Sequence, residues 1–457
     1  MARDVRLIRS PISVAGMVFT TISASVFLVV FLAELFGFHS NPYIGILFFL
    51  VLPAVFLVGL ALIPLGAWVE RRRRQAGRPP SELRWPVLDL NDPNRRIAAV
   101  IVFALSVANV VIVSLAAYRG VEYMDSPAFC GLVCHEPMRP QWAAYQAGPH
   151  ARVACVECHV GTAPGSFMRA KLAGTRRVVA VMRVSFSRPI PSPSHDDMIP
   201  ANETCQQCHW PERFFGDRIR RIAEYADDET NTESVTTLQL HLGSGASPAS
   251  GIHWHASPAV EIDYVEADGD GGGTIPYMRV RDESGAVREY LADGVTAEQV
   301  AGAPRLRMAC MDCHSRPAHR IAPSAGRAVD ELLVNGAIPR GLPFVRREAV
   351  AALAAAYPTQ DAALEGIASA LRGFYTAQTT APDGDPVTSA EVDQAVRAVQ
   401  DVAARSIFPT MNVTFGTYVN QLGHTDVAGC FRCHDESHTT TQGQSISQDC
   451  ELCHAFQ

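Results

Sequence analysis

Residues 148–159 read GPHARVACVECH, and the last five, Cys155 to His159, set two thiols two residues apart with a histidine directly behind the second. The arrangement recurs as CQQCH (205–209), CMDCH (310–314), CFRCH (430–434) and CELCH (450–454), with a longer variant, CGLVCH (130–135). The twelve cysteines of the 457-residue chain are used without remainder: Cys130/Cys134, Cys155/Cys158, Cys205/Cys208, Cys310/Cys313, Cys430/Cys433 and Cys450/Cys453. C-x-x-C-H is the spacing that attaches c-type haem, because both thiols reach the vinyl groups of one porphyrin and the next histidine is then placed to bind iron from one side. Those histidines are His135, His159, His209, His314, His434 and His454. A zinc or disulfide framework accounts for paired cysteines but requires no histidine after every second one. The expected cofactors are six covalently attached haem c groups.

Three apolar stretches, 12–36, 43–69 and 97–117, precede the first motif, and each meets the length of about 20 residues that spans a bilayer. Only Glu34 interrupts the first. Its apolar core is too long for a signal peptide and no small-residue cleavage site follows, so an uncleaved anchor is expected. Between the second and third stretches lie eight arginines (Arg71 to Arg74, Arg78, Arg84, Arg95, Arg96), against none at 37–42, which makes that loop cytoplasmic. The amino terminus is then cytoplasmic and everything after Arg119 lies on the periplasmic side of a bacterial inner membrane. Haem attachment takes place on that side, so charge bias and cysteine chemistry give the same orientation.

Beyond residue 119 the chain carries 27 basic and 40 acidic side chains, a net of about −13, which argues against nucleic acid. That charge steers basic patches on soluble redox partners or serves solubility. Six haems share the remaining residues, roughly 56 each, too few for separate hydrophobic cores, so the porphyrins must lie close together and supply buried surface. VEIDYVEA, TIPYMRVRD and AVREYLAD alternate as strands of a small antiparallel meander, whereas 325–377 and 389–406 repeat at helical spacing and read as packing scaffold. The expected architecture is three N-terminal transmembrane α-helices followed by a mainly α, haem-packed multihaem domain with a small antiparallel β insertion. Its segments are a membrane domain (1–119), a three-haem module (120–237), a β-rich insertion (238–300) and a C-terminal three-haem module (301–457).

Nine histidines lie outside the motifs, enough for bis-histidine iron at nearly every haem. His150, His195, His319, His424 and His438 are the candidate distal ligands. His253 and His255, in GIHWHAS, read as strand neighbours, one a ligand and one beside it, with the choice between them open. The first motif differs in its spacing and in Met138, whose thioether is a candidate iron ligand, so ligation there stays open between methionine, histidine and a vacant position.

FCGLVCHEPM, GPHARVACVECH, SFMRAKLAGTRR and ETCQQCH, in that order over about 126–215, resemble the NapC/NirT family of membrane-anchored, quinol-oxidising multihaem cytochromes. The resemblance implies that electrons from menaquinol or ubiquinol enter at the first haem and leave to periplasmic cytochromes or reductases. It also implies a quinol-binding lysine at Lys171, which is the chain's single lysine beside 38 arginines. Glu34, an intramembrane acid, is a candidate proton acceptor or an interfacial side chain. Six motifs and three membrane stretches exceed the family's smaller members, so acceptor assignments do not carry over. Besides quinol dehydrogenase, two readings remain: a wire subunit of a larger respiratory complex with no quinol site of its own, and a terminal reductase, which needs an open iron.

Overall fold

The computed structural model describes residues 10–35, 52–77, 79, 90–94, 96–97, 99–101, 104–105, 118–120, 122–133, 135–161, 173–174, 176–177, 179–193, 198–213, 216–244, 249–267 and 273–457. Lys171, His195 and Cys134, and the side chains of Glu34 and His135, lie outside the described residues, as does most of the expected third span, 97–117.

The chain divides into two compact units, one of residues 1–122 with 162–171 and one of 123–161 with 172–457. In the first, α1 (Pro11–Leu35) and α2 (Leu52–Gln75) are the long helices. Their backbones approach closely: a Cβ on Gly16 would come within 2.6 Å of the Gly59 carbonyl oxygen, and Ser13 Oγ donates to the Ile63 carbonyl at 2.9 Å. Small residues and a hydroxyl at the seam are how helices associate where the hydrophobic effect cannot drive them together. Among the described residues, one stretch, Ala54–Arg73, is long and apolar enough to cross a membrane, and the corresponding run in α1 is the shorter Pro11–Val26.

In the second unit α3 (His135–Gln146) follows the first motif, and four scaffold helices come late: α4 (Ala325–Val334), α5 (Val345–Ala354), α6 (Gln360–Ala377) and α7 (Ser389–Ser406). Ser324, Thr359 and Thr388 cap α4, α6 and α7 by accepting from the backbone N–H groups of Arg327, Ala362 and Glu391, which satisfies donors the helix leaves free. Thr388 and Glu391 complete a capping box. Apolar residues at helical spacing, among them Val329, Leu333, Val345, Ile367, Leu371 and Val399, bury completely into one core.

The strands are β1 (Arg218–Tyr225), β2 (Glu233–Leu240), β3 (Glu261–Val265), β4 (Tyr277–Arg281), β5 (Val287–Leu291), β6 (Leu306–Arg307) and β7 (His454–Phe456). They form two antiparallel sheets, ordered β1-β2-β7 and β5-β4-β3-β6. The expected meander is β3, β4 and β5. The hairpin β1–β2 is additional, and it begins at 218, ahead of the segment read as β-rich. Exposed Arg218, Arg220 and Arg221 at the start of β1 hide the alternation that marks a strand in the sequence. The hairpin turn is tied to the scaffold by Asn231, left-handed at φ 49°, whose amide donates to the Arg340 and Leu342 carbonyls and accepts from the Arg346 N–H.

Candidate functional site

Each described motif is one tight turn. The backbone N–H of His209, His314 and His434 donates to the carbonyl of the first cysteine of its own motif, at 2.8, 2.8 and 3.0 Å, which folds the histidine back beside both sulfurs. The first motif spends its extra residue differently: Phe129–Val133 winds as a π-helix, whose i→i+5 bonding absorbs one more residue per turn. Gly131 lies directly against the Trp142 ring, where no side chain fits. Met138 follows three residues after His135 on α3.

None of the eleven described cysteines forms a disulfide. Cys433 is buried, whereas Cys208, Cys313, Cys430 and Cys450 are exposed. Cys208 shows why: it closes the three-residue 3-10 turn Cys205–Gln207, and so short a turn, followed directly by exposed Trp210, has no second face to lay against a protein core. The porphyrin is the apolar surface such a thiol is built to meet.

The histidines meet in pairs. The rings of His159 and His319 are 6.2 Å apart, His209 and His150 6.2 Å, His434 and His255 5.9 Å, and His454 and His424 6.1 Å, centroid to centroid. An imidazole–metal bond is about 2 Å and the ring centre lies roughly 1 Å further, so two imidazoles on opposite faces of one iron are about 6 Å apart. His314 has His253 as an electrostatic neighbour. Nδ1 of His150, His319, His255 and His434 faces the carbonyls of Pro317, Gln141, Ile252 and Ser447 at 3.1, 3.1, 2.9 and 2.8 Å, which places the proton on Nδ1 and leaves the Nε2 lone pair for a metal. His454 buries Nδ1 with no partner among the described residues. Burial pulls His159 and His255 below the usual histidine range and takes His319 to about 4, so these rings are neutral, the ligating form, at neutral pH.

The residues therefore fit covalently held haem: paired thiols on short turns and imidazoles that meet in pairs at the separation an iron requires. Among the described residues no group of three or more His, Cys, Asp or Glu side chains converges on a metal position.

His253 and His255 differ from expectation. They lie on one 3-10 turn, Ile252–Ala256, and not on a strand, so each faces a different motif histidine. His438 is seated otherwise than a ligand: only 2% exposed, it has Nε2 2.6 Å from the Ile275 carbonyl and Nδ1 3.0 Å from the Asp435 carboxylate, which occupies both nitrogens. His241 pairs with Asp217 at 3.1 Å.

The motifs adjoin one another in chain order. Cys155 neighbours Cys130, and Cys205 neighbours both Cys158 and Cys310; Cys313 neighbours Cys430, and Cys453 neighbours Cys430. Burial pushes the Cys433 thiol up to about 12. Sequence reasoning missed the residues that lock this row in place. Asp312, inside the fourth motif, accepts from Tyr264 Oη and from the Ala309 N–H, both at 2.5 Å, and Arg432, inside the fifth, donates to the Asp312 carbonyl at 3.0 Å. The variable positions of C-x-x-C-H carry no pattern that marks such contacts.

Residues 92–189 match the N-terminal region of the NapC/NirT cytochrome c family. The chain is 38% identical over 449 residues to the cytochrome c-type protein ImcH of Geobacter sulfurreducens, an alignment that covers 97% of this chain and 87% of that protein. No solved structure matches. With attachment turns, opposed imidazoles, an apolar N-terminal helix and a relative aligned along nearly its full length, the chain belongs to the NapC/NirT cytochrome c family as a membrane-associated multihaem c-type cytochrome of electron transfer.

Proposed function

We propose that this protein oxidises membrane quinol, menaquinol or ubiquinol, and passes the electrons along six haem c groups to periplasmic cytochromes or reductases. The observation that carries the reading is the row of motifs, each beside the next in chain order, with opposed histidines at four of them. Haem supplies reversible one-electron chemistry at each position. The chain's own part is to fix spacing and ligation. His159/His319, His209/His150, His314/His253, His434/His255 and His454/His424 are the proposed axial pairs, which leave no open iron at these five positions and favour conduction over terminal reduction. His438 is proposed as a structural imidazole that fastens the fifth motif loop to Ile275, ahead of β4.

The first position, with Cys130, Cys134, His135 and Met138, is the proposed point where electrons enter. His135 and Met138 are the residues proposed to hold the iron there. Lys171 is proposed to bind the quinol oxygen, since a compact ammonium donates to it and shifts its pKa readily, and Glu34 to accept a proton at the outer end of α1. Three membrane spans, with a cytoplasmic amino terminus and the haem-bearing unit in the periplasm, follow from the arginine bias.

Anaerobic stopped-flow mixing of the detergent-purified protein with menaquinol and ubiquinol analogues tests the reading through haem absorbance. Rapid reduction is expected, and Lys171→Gln slows it without altering the oxidised spectrum. Haems that dithionite reduces but neither quinol does would instead identify a wire subunit.

A further inference from the structure

Arg316 is only 8% exposed, yet every partner it has is neutral. Its Nη2 donates to Gln141 Oε1 at 2.6 Å, its Nε donates to the His319 carbonyl at 3.3 Å, and its guanidinium lies over the Tyr418 ring at 4.2 Å. The other well-buried arginines of this unit face carboxylates: Arg346 meets Asp330 and Asp227, Arg327 meets Glu224 and Asp426, and Arg432 meets Glu266. Among the described residues Arg316 has no such partner. A guanidinium taken out of water needs an anion beside it, because the desolvation of its charge is otherwise uncompensated.

Its surroundings indicate where that anion belongs. Arg316 stands between the fourth motif histidine, His314, and the distal imidazole His319, and it is an electrostatic neighbour of both rings of the His159/His319 pair. Gln141 holds the guanidinium through its side chain while its carbonyl accepts from His319 Nδ1 at 3.1 Å, so one residue of α3 positions both the cation and the ligand.

We propose that Arg316 is the counter-cation of the haem held by Cys155, Cys158, His159 and His319, taking a haem carboxylate in its planar fork and raising the reduction potential of that centre. This rests on the axial pairing proposed above. A guanidinium pairs with a carboxylate bidentately. A fixed positive charge in a poorly polarisable surrounding disfavours the oxidised iron, which carries one more positive charge than the reduced iron, by an amount that water would screen out. Because Cys155 adjoins Cys130, the cation favours electron occupancy one position away from where quinol is proposed to deliver.

The test is a potentiometric titration of the full-length holoprotein, followed by visible and EPR spectra, on Arg316→Gln, Arg316→Lys and Gln141→Glu. Arg316→Gln is expected to lower one centre so that its oxidised-to-reduced ratio at fixed ambient potential rises about tenfold, a shift of about 59 mV for one electron, with the remaining centres unmoved. Arg316→Lys keeps the charge and restores at least half of the shift, an effect no purely packing role predicts. Gln141→Glu neutralises the cation in place and lowers the same centre even if Arg316→Gln fails to fold. His319→Ala, by turning that centre from low to high spin, marks it. Unmoved potentials in both Arg316→Gln and Gln141→Glu overturn the proposal, as does a shift in any centre other than the marked one. If His319→Ala marks no centre, the axial pairing falls and the proposal with it.

Discussion

The hydroxyl of Tyr264, on β3, donates to the carboxylate of Asp312, inside the fourth cysteine motif, across 2.5 Å. Both groups are buried, at 2% and 7% exposure, and the contact ties the four-stranded sheet to a haem-attachment turn. Burial, reinforced by the Asp312 charge, pushes the Tyr264 phenol far above its usual range, so it stays a donor throughout the pH range in which the protein is used. Tyr264→Phe removes a buried hydrogen bond to that carboxylate, at a cost of about 1–3 kcal/mol. A thermal midpoint several degrees below wild type is expected by circular dichroism, and an unchanged midpoint would show that the contact holds nothing.

The proposed axial pairs make a spectroscopic prediction that distinguishes individual histidines. Replacing His150, His255, His319 or His424 with alanine removes one imidazole from a facing pair and is expected to convert one centre from low to high spin, with haem content unchanged because the cysteines remain. His241→Ala, whose ring faces Asp217, is expected to convert none. A full set of low-spin signals in any of the four variants would remove that residue from the ligand set.

How much of this is legible in the sequence follows from how local each feature is. The motifs and the helices α4 to α7 are set by residues within a few positions of one another, and they fall where periodicity and spacing place them. The β3–β4–β5 meander is legible for the same reason. The pairing of His159 with His319 joins residues far apart in the chain, and nothing in the spacing of nine spare histidines encodes it. His253 and His255 read as strand neighbours only until Gly251, at φ 61°, starts a 3-10 turn that alternation cannot reveal. The exposure of Cys208 is equally silent, since spacing marks a thiol for attachment without saying which face of the turn carries it. Arg316 and Gln141 stand out only through their burial.

Asn231 is the least conspicuous of the structural anchors. Its turn conformation, φ 49°, is one that asparagine tolerates and alanine resists, and its side chain satisfies three backbone groups of the loop between α4 and α5. Asn231→Ala removes its hydrogen bonds to two carbonyls and an N–H together and adds backbone strain, for about 2–4 kcal/mol. Chemical denaturation followed at the far-ultraviolet helical signal reads this loss, while spectra of the native haems stay unchanged. Wild-type stability in the variant would show that water replaces these hydrogen bonds freely.

The last prediction separates attachment from folding. Gly429, the residue before Cys430, has φ 49°, and a Cβ there would overlap the Gly423 carbonyl oxygen, whose partner is the Cys430 N–H at 3.2 Å. Gly429→Ala therefore forces the fifth turn open at the point where its first thiol is positioned, while the scaffold core of α4 to α7, distant in sequence, keeps its own packing. Loss of one covalently bound haem per chain is expected, read by pyridine haemochrome and intact mass, with the helical signal retained. A full complement of haem in that variant would mean that covalent attachment itself can impose the turn, and that the glycine serves the folded chain and not the attachment step.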